Sequence, residues 1–260
     1  MKEELHGSPN NEGEFAQGFE TSLEKYTSAI VAAAKEEYKS PLQPFSVRER
    51  EIRKKVNESF LFFKKSFSNG YRTLIEELQF EMKISESKED LLALVAVDPK
   101  KLKIFEDVEK LIEALEAGSA IYELLGFTEK SLNVCYHAVQ RLVENKEFEK
   151  AHDVCYFLII IAPGVYQFWV YLGRCDASLQ AYESAFQELA MAIEIDPTEA
   201  TAYLDIIDIL LETHEYTKAF NLCDAGLQFA VANQQEPWAE ALRSRLEGKM
   251  NDVHIASRNL

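Results

Sequence analysis

Residues Phe148–Pro197 read FEKAHDVCYFLIIIAPGVYQFWVYLGRCDASLQAYESAFQELAMAIEIDP, and this stretch repeats itself at an interval of 34 residues. Phe148 and Tyr182 are followed by Tyr216 at the same step, and Ala151 and Ala185 by Ala219. Pro163 and Pro197 keep the interval, as do Ile159, Ile193 and Leu227. Each column has a mechanical meaning. A small residue at 151, 185 and 219 lets the second helix of a hairpin lie close against the first. The aromatic three residues earlier plugs the turn between them. Proline at 163 and 197 is expected to end one repeat and start the next helix, where its missing N–H costs nothing.

Four columns in one register at this period match the tetratricopeptide helix–turn–helix unit and not ankyrin or armadillo spacing. The expected fold is therefore all-α, three such repeats over residues 132–231 forming a short superhelix. The middle repeat is the fullest, with Trp169, Leu172, Gly173, Tyr182, Ala185, Leu189, Ala192 and Pro197. The first has Cys135 and Cys155 at positions for larger residues. The third has Val231 in place of proline and Gly226 where alanine is usual, as befits the end of an array. After Glu236, Pro237 is expected to open a capping helix over residues 237–252. Its Trp238, Ala241 and Leu242 would face one way and cover the last hairpin, leaving 253–260 as a tail.

Working back from the repeats, Thr128 reads as the cap of the first repeat helix and Ser119–Leu125 as a short helix ending at Gly126. Asp98-Pro99 reads as a helix start. Leu102, Phe105, Val108, Ile112 and Leu115 follow as an amphipathic face closing at Gly118. Residues 98–131 thus form a helical lead-in. Residues 14–97 form a helical extension with two apolar stripes. One runs through Phe15, Phe19, Leu23, Tyr26, Ile30 and Ala34 and ends before Pro41. The other runs through Val56, Phe60, Phe63, Phe67, Tyr71, Leu74 and Leu78, opened by Ser46 and Glu49 at capping-box spacing. Ser68-Asn69-Gly70 is expected to break that second helix. Its stripe is expected to pack on itself in a homodimer or against Leu102–Leu115. Residues 1–13, polar and acidic, are expected to be disordered and do not resemble a signal peptide.

The formal net charge of −16 argues against nucleic acid as a partner, since phosphate contacts need clustered Lys and Arg. Ser46–Lys83 carries 9 basic against 6 acidic side chains, but interleaved at helical spacing, which suits a solvated face. The longest apolar run, Tyr156–Pro163, is too short to span a bilayer. Four cysteines and five histidines show neither metal-ligand nor disulfide-framework spacing, and a cytoplasmic protein is expected. No phosphate loop, nucleophile elbow or paired acidic motif appears, so no enzyme, cofactor or metal is expected.

The stretch Phe168-Trp169-Val170-Tyr171-Leu172-Gly173-Arg174-Cys175 resembles the second-repeat opening of the class II translocator chaperones of type III secretion, SycD/LcrH-like. Those proteins show an aromatic, then Leu-Gly, one residue, and Cys. Tyr136 through Phe148, Ala151 and Asp153 resembles their first repeat, and Tyr122-Glu123-Leu124-Leu125-Gly126 the short helix before it. The resemblance covers roughly residues 118–231, and the extension before it has no counterpart. It implies a cytoplasmic chaperone that binds a hydrophobic secreted translocator before export. An extended cargo segment would lie in the concave groove lined by the first helix of each repeat. The other reading the sequence leaves open is a repeat scaffold or adaptor in a multiprotein assembly.

Helical spacing turns positions 2, 5, 9 and 12 of each first helix toward that groove. These are Asn133, Tyr136, Gln140 and Val143, then Gln167, Val170, Arg174 and Ala177, then Thr201, Leu204, Asp208 and Leu211. The expected peptide-binding residues among them are Tyr136, Gln140, Val143, Gln167, Val170, Arg174, Leu204, Asp208 and Leu211. They mix apolar pockets with hydrogen-bonding groups, which suits a peptide whose backbone needs partners. With Arg174 the one basic residue there, a clamp for acidic peptide termini is not expected. Trp169, Tyr203 and three of the cysteines, Cys135, Cys155 and Cys223, read as core.

Overall fold

The structure, a computed structural model, describes residues 24, 27–28, 30–38, 44–85, 91–97, 101 and 108–258, and among them all regular structure is helical. The calls on residues 1–13, Phe15, Phe19, Leu23, Tyr26, Pro41, Asp98-Pro99, Leu102 and Phe105 lie outside the described residues. So do those on the side chains of Phe60, Phe63, Val108 and Ile112. The chain divides into two compact units, Met1–Ser68 with Leu78–Val134, and Asn69–Glu77 with Cys135–Leu260.

In the first unit, residues 30–37 are helical, with Thr27 and Val31 buried. Arg53 donates to Glu24 at 2.9 Å and to Glu49 at 3.0 Å, tying this segment to the start of α1 (Phe45–Ser85). The short helix α2 (Leu91–Val95) buries Val95. After it, α3 (Val108–Glu116) closes at Gly118 and α4 (Ile121–Leu125) at Gly126, as the sequence implies. Both glycines hold a left-handed φ near +92°, which lets the next N–H bond back to an orphan carbonyl of the helix end. Thr128 caps α5 (Glu129–Glu144) through a reciprocal pair with Ser131: Ser131 N–H donates to Thr128 Oγ1 and Thr128 N–H to Ser131 Oγ.

The second unit holds the hairpins. Alongside α5 are α6 (Phe148–Ile161), α7 (Tyr166–Ser178), α8 (Tyr182–Ile195), α9 (Ala200–Glu212), α10 (Tyr216–Ala232) and α11 (Ala239–Arg258). Each aromatic column residue opens a second helix, and Ala151, Ala185 and Ala219 are fully buried. Gly173 meets the second repeat's other helix so closely that a Cβ there would lie 2.6 Å from Leu189 Cγ. One column has no sequence signature: Lys146, Gln180 and His214 all take a left-handed φ of 60–65°. Each sits in a tight turn in which the following N–H reaches the carbonyl five residues back, as Ala181 does to Asp176 at 2.8 Å.

The prolines differ from expectation. They do not start helices: α7 begins at Tyr166 and α9 at Ala200, both three residues past the proline. What the linker offers instead is a carbonyl. Trp169 Nε1 donates to Pro163 O at 2.8 Å, and Tyr203 Oη to Pro197 O at 3.4 Å, the same bond one repeat apart.

The capping helix also needs correction. It begins at Ala239, Ala241 is exposed, and the buried face is Ala239, Leu242, Leu246 and Val253. Trp238 stacks on Phe229 with ring centroids 5.2 Å apart. The helix runs on to Arg258, through the expected tail, because Val253 is buried in the core. It packs on α10 and α9 as α9 packs on α8 and α7, so it stands where a fourth repeat's first helix would.

Ser68-Asn69-Gly70 does not break α1, which runs unbroken for 41 residues. Gly70 is a contact point. A Cβ on it would lie 2.2 Å from Asp153 O and 2.5 Å from Phe157 Cβ, so only glycine lets Asn69–Glu77 approach α6. One residue on, the Tyr71 ring lies 5.5 Å from that of Phe157, and Leu74 is fully buried. Arg141 Nε donates to the buried Glu77 carboxylate at 3.2 Å. No described helix is long and apolar enough to cross a membrane.

Candidate functional site

The first helices α5, α7 and α9 bring side chains together by their spacing of three and four. Tyr166 and Val170, and Gln167, Tyr171 and Arg174, form two adjacent rows on α7. With Tyr136 from α5 and Thr201 from α9 they line a half-open cavity of about 80 Å³. That is far below the roughly 300–1,000 Å³ of small-molecule sites and suits one side chain of an extended ligand.

Its walls are ordered by polar pairs. The Tyr136 and Tyr171 rings meet edge to face at 5.6 Å. Gln140 Nε2 donates to Tyr136 Oη at 3.2 Å, and the same amide's oxygen is 3.0 Å from His137 Nδ1. Arg174 is held twice: its guanidinium donates to Asp205 at 2.7 and 3.2 Å and lies over the Tyr171 ring at 5.4 Å. On the far side, Glu199 accepts from Thr201 N at 3.2 Å and from Arg245 of α11 at 2.8 Å.

Protonation follows from burial. Burial, then the neighbouring Tyr171, pushes the Tyr136 phenol up to about 12, so it remains an O–H donor at any physiological pH. Burial also raises Tyr166. Burial works against the Arg174 charge, but the Asp205 carboxylate outweighs it and Arg174 ends above its ordinary value. Burial pushes Asp205 up even beside that cation. The cavity therefore presents neutral phenols, an amide, a hydroxyl and an already paired guanidinium. Among the described lining residues there is no carboxylate, imidazole or thiol.

No family model matches the chain, and no curated protein matches it. Among solved structures it is similar to a type III secretion system complex from Aeromonas hydrophila, at 17% identity and a TM-score of 0.48, covering 58% of this chain and 98% of that one. It is also similar to the Yersinia enterocolitica type III secretion translocator chaperone SycD, at 20% identity and a TM-score of 0.45, covering 52% and 98%. A third likeness is to PcrH, a Pseudomonas aeruginosa protein, in complex with the chaperone binding region of PopD: 20% identity, TM-score 0.43, covering 51% and 97%.

Of the residues expected in the groove, Tyr136, Gln167, Val170, Arg174 and Thr201 line the cavity, and Gln140 braces Tyr136. Val143 is half-buried outside it, and Asn133 is exposed. The other third-repeat positions are differently engaged. Leu204 and Leu211 pack against the hydrophobic core, and Asp208 pairs with Lys249 of α11. Tyr166 and Tyr171 line the cavity beyond the expected set. They stand four residues from Val170 and Gln167, so a wider helical stripe on α7 would have found them.

Proposed function

We propose that the concave face of α5, α7 and α9 holds an extended segment of another protein, and that the chain is a chaperone for hydrophobic translocators of type III secretion with no catalytic step of its own. The observation that carries this is the cavity between Tyr136, Tyr171 and Arg174. It is sized for one side chain, walled by aromatic faces, and rimmed by donors and acceptors that can serve a peptide backbone. The resemblance of Phe168–Cys175 and Tyr136–Asp153 to the translocator chaperones names the class of cargo. Tyr136, Gln140, Gln167, Val170 and Arg174 are the residues proposed to touch it. Leu204, Asp208, Leu211 and Val143 form the outer part of the surface.

The test is titration of the full chain and Tyr136→Ala with a hydrophobic translocator segment, circular dichroism serving as the folding control. Loss of an aromatic anchor in a desolvated pocket weakens binding by roughly 1–3 kcal/mol, about ten- to a hundred-fold. A folded Tyr136→Ala that binds as tightly as the parent places the binding surface elsewhere. A parent chain that binds no such segment removes the chaperone role and leaves the scaffold.

A further inference from the structure

Among the described residues lining the cavity, Arg174 alone is charged. A guanidinium set between phenol rings would ordinarily make such a cavity a receptor for carboxylates, because its planar fork matches a carboxylate with two parallel bonds. Here the fork is already filled from within the chain. Asp205 of α9 accepts from Arg174 Nε at 2.7 Å and from Nη2 at 3.2 Å, one carboxylate oxygen to each nitrogen. It does so from outside the cavity, whose wall includes Arg174 but not Asp205. The Tyr171 ring, its centroid 5.4 Å from Cζ, gives the same group a second support.

Pairing removes the net charge of the site and keeps part of its donor capacity. The third nitrogen, Nη1, is outside the Asp205 pair and still carries N–H groups. The same balance runs along α9: its N-cap Glu199 pairs with Arg245 at 2.8 Å, and Asp208 pairs with Lys249. Glu199, Asp205 and Asp208 thus each meet a cation from a neighbouring helix, on a chain whose formal net charge is −16. An incoming carboxylate finds no unpaired cation at Arg174 and meets the field of Asp205 behind it. It would also have to shed water to enter, a cost that a neutral carbonyl oxygen largely escapes.

We infer, resting on the peptide-binding role proposed above, that Asp205 determines the specificity of the cavity. By pairing with Arg174 it leaves the site open to a neutral carbonyl of an extended segment and closes it to the carboxylates of acidic ones. Asp205 acts through Arg174 and does not itself touch the segment. A backbone or amide carbonyl takes the Nη1 donors while the adjoining side chain rests against the phenol rings. The selection comes from a repulsive element as much as from an attractive one. Removing the Asp205 charge should therefore change which ligands the cavity prefers, and not only how firmly its wall is held.

The experiment compares the full chain with Asp205→Asn, whose amide keeps an oxygen for Arg174 and carries no charge. The peptide probe is a hydrophobic translocator segment synthesised with each residue in turn as Gln or as Glu, circular dichroism serving as the folding control. At the residue seated in the cavity, the parent should bind the Glu form about tenfold more weakly than the Gln form, and Asp205→Asn should erase most of that ratio. A ratio that Asp205→Asn leaves unchanged at every position overturns the inference. Acetate gives a readout that needs no cargo. Followed by NMR, it should shift the Arg174 Nε–H resonance saturably in Asp205→Asn and leave it unmoved in the parent. A saturable shift in the parent overturns the inference whatever the variant does. A parent that binds none of the peptides removes the peptide-binding role, and the acetate titration still decides whether Asp205 shuts anions out at Arg174.

Discussion

Gly70 and Gly248 are both helix-interior glycines, and replacing each with alanine should have opposite effects. Around Gly248 in α11 a new Cβ would meet nothing within 4 Å, so Gly248→Ala gains helix propensity, about 0.8–1 kcal/mol. Gly70→Ala gains the same propensity and then loses more. Its Cβ would fall 2.2 Å from Asp153 O and 2.5 Å from Phe157 Cβ, where ordinary contact starts near 3.4 Å. The carbonyl belongs to the backbone of α6 and cannot step aside without breaking that helix, so α1 must back away by more than 1 Å. Such overpacking costs about 1–3 kcal/mol. Backing away also thins the packing at Tyr71, Leu74 and Phe157, where full burial of a large apolar side chain is worth about 1.5–3 kcal/mol. A loss of about 1–3 kcal/mol should remain after the propensity gain. It is bounded above by the free energy of docking Asn69–Glu77, because beyond that point the segment detaches. Urea titration gives the stability of each variant. Hydrogen exchange over residues 69–77 and 148–161 shows whether the loss is local. If Gly70→Ala is stabilised like Gly248→Ala, α1 does not pack on α6 through this residue.

Two further outcomes follow from the repeat geometry. Trp169→Ala removes a partly buried ring and its bond to Pro163 O, and should cost about 3 kcal/mol, the lower end for a core aromatic, measured by thermal or urea unfolding. Gln180→Gly should raise stability by about 0.5–1 kcal/mol, because glycine accepts the left-handed φ of 65° without steric penalty, and a differential thermal melt decides its sign.

The hairpins were legible because their packing residues are particular in type. Only a small residue fits at 151, 185 and 219, and the aromatics three positions earlier mark where each second helix begins. The column at 146, 180 and 214 was illegible because the tight turn there is made by backbone bonds, and Lys, Gln and His share nothing that predicts it. Gly70 was misread for a different reason. A glycine at a helix break and one at a close helix crossing look alike in sequence, and the deciding neighbour, Asp153, is 83 residues away. Tyr136, Gln167, Val170, Arg174 and Thr201, set on one face by helical periodicity, do line a common cavity. Asp208 did not stay free, because its partner Lys249 comes from a capping helix whose register the local sequence does not set.

The three seams of the second unit differ in chemistry, so one perturbation should not disturb them alike. At α1 and α6 the contact is mostly apolar, closed by a glycine and by Glu77 with Arg141. The seam of α9 and α11 relies on Arg245 with Glu199 and Lys249 with Asp208, pairs open enough to solvent that salt screens them. Between them, α6, α7 and α8 bury Cys155, Cys175 and Asp176, the last with its Oδ1 3.3 Å from His152 Nε2. In a repeat array each unit is stabilised mainly by its neighbours, so a weakened seam is felt first by the elements beside it. The cavity draws Tyr136 from α5, Tyr171 and Arg174 from α7 and Thr201 from α9, and Arg174 is fixed by Asp205 rather than by either end of the array. The cavity therefore depends on the contact between α7 and α9 more than on the two ends of the array. A change in ionic strength reaches it through α11, where Arg245 holds the Glu199 that caps Thr201.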